Sequence, residues 1–279
     1  MKSQIIDGKK LAEAIKLEIR QDIVQNKLEP ELAVILIGDN PASHLYVRMK
    51  EAACHAVGII FHKYFFPADA GLQEINDCID WLNNDVSIDA ILIQLPLPDG
   101  LDENKIISRL DPAKDVDGFH PENIKLLLAG KPRLIPGLPL GVLKLLDTTE
   151  EKLTDKTTLI IANSTIFAQP MAALLKSKTK NVQIIKPDNA GLTEQCLQAD
   201  ILITAVGRLN FIDQTKIKPG AIIIDVGINK TAAGKTVGDV NFEQAQEIAA
   251  WITPVPGGVG PVTVAMLLFN TVCLSKAKH

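Results

Sequence analysis

Short runs of almost purely aliphatic residues, ELAVILI, AILI, TTLIIA, DILITA and AIIID, recur along the chain with helix-patterned segments between them. A run with no polar face predicts a strand covered on both sides. Strands of this kind alternating with helices predict parallel sheets and an α/β fold. Leu11, Ala14, Ile15, Ile19 and Ile23 recur at helical spacing, so residues 9–26 are expected to form an amphipathic helix. Ser43 is read as the cap of the next helix and Gly58 as its stop. The segment NKTAAGKTVGD reads as an excursion or hairpin, and VTVAMLLFNTVCL as a final buried helix. One strand–helix series ends and another begins around GKPRLIPGLPLG, residues 130–141, where the domain boundary is placed.

Bulk properties exclude several classes. Hydrophobic residues are 47% of the 279, enough for a sizeable core. A net charge of −4 leaves no excess cation to neutralise phosphates, so no nucleic-acid partner is expected. MKSQIIDGKK lacks an apolar targeting core, and the apolar runs are strand-sized, so neither a signal peptide nor a membrane span is expected. Cys54, Cys78, Cys196 and Cys273 are scattered, which suggests free thiols in a reducing cytoplasm. The five histidines make no zinc-binding spacing, so no metal is expected.

Three polar spots are candidates for chemistry. Tyr46 and Lys50 are four apart and share a helix face, where a phenol can stack on a flat ligand and an amine can reach its edge. Gln94 follows AILI at the carboxyl end of a buried strand, where ligands bind in open α/β sheets. Asp115 and Asp117 flank a valine in KDVDGFH and can orient a ligand. Each alone also admits a plain reading: an exposed helix face, a strand-end amide, a solvated turn.

Taken in order, DNPASHLYVRMK, ILIQLPLP, KDVDGFH, IKPGAIIIDVGIN, VGDVNF and ITPVPGGVGPVTVAMLLFNT span nearly the whole chain and resemble the methylenetetrahydrofolate dehydrogenase/cyclohydrolase family. The resemblance implies two α/β domains with a cleft between them. These are a folate-binding catalytic domain over residues 1–138 and a Rossmann-type domain with a parallel sheet over 139–258. The final helix, 259–279, would return to the first domain. It implies oxidation of 5,10-methylenetetrahydrofolate to 5,10-methenyltetrahydrofolate with NADP, then hydrolysis to 10-formyltetrahydrofolate, by a cytoplasmic homodimer. The matched positions assign Lys50 to acid–base work, Tyr46 to stacking on the pterin, Gln94 to holding Lys50, and Asp117 to the pterin edge. Pro256, Gly257 and Gly258 would wall the folate.

The family's cofactor turn carries glycines, but the matching positions here are Ala162, Asn163, Ser164, Phe167, Ala168 and Pro170. Alanine at a positive-φ position would be strained, while a helix N-terminus still offers N–H groups to phosphate. Lys186 can act as a point charge for a 2′-phosphate, whereas Asp188 sits where an acid would favour NAD. Ala205, Gly207 and Ile228 fall where the family contacts the nicotinamide end. Three readings stay open: a bifunctional NADP enzyme, a cyclohydrolase with weak or lost dehydrogenase activity, and a non-catalytic folate- or partner-binding paralogue.

Overall fold

The computed structural model describes residues 2–278, apart from the side chains of residues 165–167, so Phe167 of the cofactor turn lies outside the described side chains. Its first half runs β1 (Gln4–Ile5), α1 (Gly8–Asn26), β2 (Glu31–Ile37), α2 (Pro41–Val57), β3 (Ile60–Phe66), α3 (Leu72–Asn84), β4 (Ala90–Ile93), α4 (Glu103–Ile107) and α5 (Pro121–Leu128). There follow α6 (Gly137–Asp147), β5 (Thr157–Ala162), α7 (Thr165–Lys176), β6 (Asn181–Ile185), α8 (Leu192–Gln198), β7 (Ile201–Ala205), β8 (Ile222–Asp225), β9 (Asn229–Lys230), β10 (Thr236–Val237), α9 (Phe242–Ala245), β11 (Trp251–Ile252) and α10 (Val259–Lys278). The chain packs as two compact units, Glu13–Gly137 with Val264–His279, and Met1–Ala12 with Leu138–Thr263.

The first of these units is built on a parallel three-stranded sheet in the order β3-β2-β4. Its central strand has Leu32 to Ile37 almost fully buried, which is why ELAVILI shows no alternation. Edge strand β3 mixes exposed and partly buried residues instead and ends in the buried Phe66. Ile75, Ile79 and Leu82 of α3, at helical spacing, pack with Ile35, Ile91 and Ile93 on one face of the sheet. The end of α10 belongs here: Asn270 donates to the carbonyls of Val116 at 3.1 Å and Ile135 at 3.0 Å. Lys276 pairs with Asp22 at 2.6 Å and Lys278 with Asp89 at 2.8 Å. The sequence suggested no run long enough to span a bilayer, but α10 is 20 residues with a mean hydropathy of 1.4. With 61% of its apolar window buried, it serves as a core helix.

The second unit carries a parallel six-stranded sheet in the order β1-β11-β8-β7-β5-β6. Strand order reverses at β5, with β6 on one side and β7 on the other, so the turn after β5 lies at the position where such sheets bind ligands. The N-terminus enters this sheet: Gln4 aligns with Trp251 and Ile5 with Ile252. The sequence reading had placed these residues with the first domain. The NKTAAGKTVGD excursion is an antiparallel hairpin, Lys230 opposite Thr236.

Candidate active site

Helix α2 starts with Asn40, whose side chain accepts from the backbone N–H groups of Ala42 at 2.9 Å and Ser43 at 3.3 Å, with Pro41 in the first turn. The cap is therefore Asn40 and not the expected Ser43, whose buried hydroxyl has no partner. Gly58, at φ 95°, ends the helix. This frame sets Tyr46, Lys50 and Cys54 one turn apart on one face. Tyr46 is 39% exposed, Lys50 is partly buried and Cys54 is buried.

Gln94, only 6% exposed, follows β4 and receives the Lys50 ammonium: Nζ donates to Oε1 at 2.9 Å. The amide's other end donates to the carbonyl of Leu95 at 2.7 Å, which turns the oxygen toward Lys50. Burial holds the Lys50 amine below its ordinary value, while Asp117 and Cys54 pull it back up. Burial pushes the Asp117 carboxyl up to about 6, with Lys50 opposing and Asp115 adding to the rise. The Cys54 thiol is driven to about 12 by burial and is inert near neutrality. The result is a lysine easier to deprotonate than usual beside a carboxyl that ionises near pH 6.

The two aspartates have separate positions. Asp115, 3% exposed, accepts from the backbone N–H groups of Gly118 at 3.1 Å and His120 at 2.7 Å, and from the Asn123 amide at 3.0 Å. Backbone bonds between Ile91 and the Lys114–Val116 stretch fasten the loop to β4. Gly118 turns at φ 74°, and a Cβ there would come within 3.1 Å of Pro136. Asp115 thus shapes the loop, while Asp117 shares the field of Lys50.

In the other unit, the turn after β5 has no strained residue. Among the described residues, the non-glycine ones at positive φ are Lys27, Glu150 and Asn210, none of them in this turn. The feared cost of alanine at Ala162 and Ala168 does not arise. Ala162 ends the strand at 4% exposure, and the Asn163 amide donates to the Val206 carbonyl at 2.6 Å, linking this turn to the one after β7. Ser164 is the N-cap of α7 and makes no side-chain capping hydrogen bond among the described residues. Lys186 and Asp188 are exposed and Pro187 is buried between them. Ala205 is partly buried, and Gly207 at φ 69° has open space where a side chain would stand. Ile228 is 56% exposed. Pro256 is exposed, while Gly257 and Gly258 are buried. Gly257 accepts from Lys9 N–H at 3.0 Å, and a Cβ on Gly8 would lie 1.8 Å from the Gly258 oxygen. The turns after β5 and β7 thus present bare backbone, and exposed Lys186 stands just past the end of β6.

Comparison with known proteins decides the family. The model of the tetrahydrofolate dehydrogenase/cyclohydrolase catalytic domain matches residues 6–117, and that of its NAD(P)-binding domain matches residues 136–279. The chain belongs to the tetrahydrofolate dehydrogenase/cyclohydrolase family. It is 43% identical over 277 residues to the bifunctional protein FolD of Enterococcus faecalis, covering 98% of this chain and 99% of that one. The crystal structure of bifunctional FolD from Campylobacter jejuni superposes with a TM-score of 0.95 at 42% identity, covering 99% and 100% of the two chains. The Trypanosoma brucei FolD structure, complexed with NADP cofactor and inhibitor, gives 0.94 at 31% identity, covering 99% and 98%.

Within this family member, two features escaped the sequence reading. The loop-shaping part played by Asp115 has no local signal, since both aspartates of KDVDGFH look alike until their partners are known. The buried carboxylates Asp225 and Asp239, 3% and 0% exposed, were passed over inside DVGIN and VGDVNF. An acid at the end of an aliphatic strand was the available clue.

Proposed function

We propose that this chain oxidises 5,10-methylenetetrahydrofolate to 5,10-methenyltetrahydrofolate with NADP and hydrolyses the product to 10-formyltetrahydrofolate. The observation that carries this reading is the 2.9 Å bond from Lys50 to a buried Gln94, with Asp117 in the same field. Tyr46 stacks on the pterin, and ionised Asp117 accepts from the N–H groups of its aminopyrimidinone edge. Lys50, its pKa lowered by burial, acts in its neutral amine form and takes a proton from the water that attacks the methenyl carbon, becoming the ammonium. Gln94 keeps Nζ aimed. Pro256, Gly257 and Gly258 are assigned to the substrate by family resemblance.

NADP, when bound, accepts the hydride. The turn after β5, with Ala162, Asn163 and Ser164, would face its phosphates, and Ala205, Gly207 and Ile228 its nicotinamide end. Lys186 favours NADP over NAD as a point charge for the 2′-phosphate, against the nearby Asp188. The family resemblance further supports a homodimer in the cytoplasm, which light scattering and fractionation would test.

The deciding experiment gives purified protein methylenetetrahydrofolate with NADP or NAD, and follows methenyl decay separately. Saturation at sub-millimolar NADP with accelerated hydrolysis is expected. Hydrolysis without reduction of either cofactor would overturn the dehydrogenase half, and no acceleration of either step would overturn the whole reading.

A further inference from the structure

We propose that Asp239, held in place by Asp225, is a positioning residue that sets the nicotinamide-side loops of the cofactor unit for hydride transfer. The inference rests on the dehydrogenase reading above. Asp239 is fully buried and receives four hydrogen bonds from two segments. From the end of β7 and the turn after it come the Thr204 hydroxyl at 3.1 Å, Val206 N–H at 2.6 Å and Arg208 N–H at 2.9 Å. From the start of β9 comes the Asn229 amide at 3.0 Å. One carboxylate therefore fixes the backbone on both sides of Gly207 and ties it to the segment that carries Ile228.

Asp225 fixes Asp239 in turn. Its carboxylate accepts from the N–H groups of Asp239 at 3.0 Å, Val240 at 2.9 Å and Gly227 at 2.9 Å. Both carboxylates press against bare backbone. A Cβ on Gly227 would lie 2.2 Å from the Asp239 carboxyl carbon, and one on Gly238 would lie 1.9 Å from an Asp225 oxygen. The Asn163 bond to Val206 extends the same bracing to the phosphate-side turn. An array of backbone donors closed on two acids leaves the loops one register, and transfer of a hydride depends on ångström-scale placement of the ring that carries it.

The test uses Asp239→Asn and Thr204→Val in the full chain. An asparagine must turn its NH2 toward a backbone N–H, so donor meets donor. The valine removes only one donor. Affinity is measured by fluorescence titration for NADPH and by competition for 2′,5′-ADP, which has no nicotinamide, with a melting curve for each variant. Expected for Asp239→Asn is a drop in dehydrogenase kcat of about 10²-fold, with NADPH affinity falling while 2′,5′-ADP affinity holds. Thr204→Val should show the same selective pattern at about tenfold or less, and it decides the matter if Asp239→Asn does not fold. Equal weakening of both ligands, or an unchanged ratio in Thr204→Val, overturns the proposal. A wild-type protein that binds neither ligand overturns the cofactor reading itself, and this inference with it.

Discussion

Replacing Lys50 with methionine keeps an unbranched stem one atom shorter and removes the charge and the donor. The Gln94 oxygen then loses its 2.9 Å partner in a site 6% exposed. An acceptor left unpaired there costs about 1–3 kcal/mol. The cation whose burial lowered its own pKa is also gone, which offsets part of that cost. The net loss of stability should be about 1 kcal/mol, small against the activity change. Loss of a general base costs about 10²–10⁴-fold, so enzymatic hydrolysis of methenyltetrahydrofolate should fall to near the buffer rate. A second readout follows from the electrostatics. Lys50 lowers the Asp117 pKa, so without it the carboxyl should ionise above about 6. In the proposed role Asp117 binds the pterin edge as a carboxylate, and protonation turns one of its acceptors into a donor. Folate affinity in the wild type should therefore weaken as pH falls below about 6, and in the variant the weakening should begin at higher pH. The assay is methenyl decay after subtraction of the buffer rate, together with folate titrations from acid to mildly alkaline pH. Hydrolysis within tenfold of wild type, or a folate-binding midpoint that stays or moves down, would refute the reasoning.

Three further outcomes are expected. Asn40→Ala should cost about 1 kcal/mol by uncapping α2, whereas Ser43→Ala should be neutral or slightly stabilising because its hydroxyl is buried without a partner; the reverse order in urea melts would restore Ser43 as the cap. Ala162→Gly should lower stability by about 0.5–1 kcal/mol without tightening NADPH, since no positive φ occurs in that turn; a clear gain in affinity would show that the methyl crowds the cofactor. At Asp200, burial alone would raise the carboxyl, but hydrogen bonds from Lys218 and Thr157 hold it at about 2. A depressed acid stabilises above its unfolded value and loses that contribution as pH falls through the folded one. Asp200→Asn should thus cost about 1 kcal/mol at neutral pH after solvent screening, a gap that closes toward about pH 2 in denaturant melts.

The sequence by itself determined the central strands, because ELAVILI, TTLIIA and DILITA have no polar face and lie largely buried. It also fixed the pairing of Tyr46 with Lys50, which helix pitch dictates at four residues' spacing. These are short-range facts written in periodicity. Strand β1 was illegible because two exposed residues, Gln4 and Ile5, have no period to read and form a strand only when β11 offers them an edge. The meeting of Lys50 with Gln94, 44 positions apart, depended on the register that sets β4 beside β2. The absence of glycine after β5 looked like a defect, yet only backbone angles reveal whether alanine is strained, and here it is not. The tertiary structure also separated Asp115 from Asp117 and closed backbone donors around Asp225 and Asp239. Desolvation and hydrogen-bond partners belong to the packed molecule, so a carboxylate's task is decided where the chain places it.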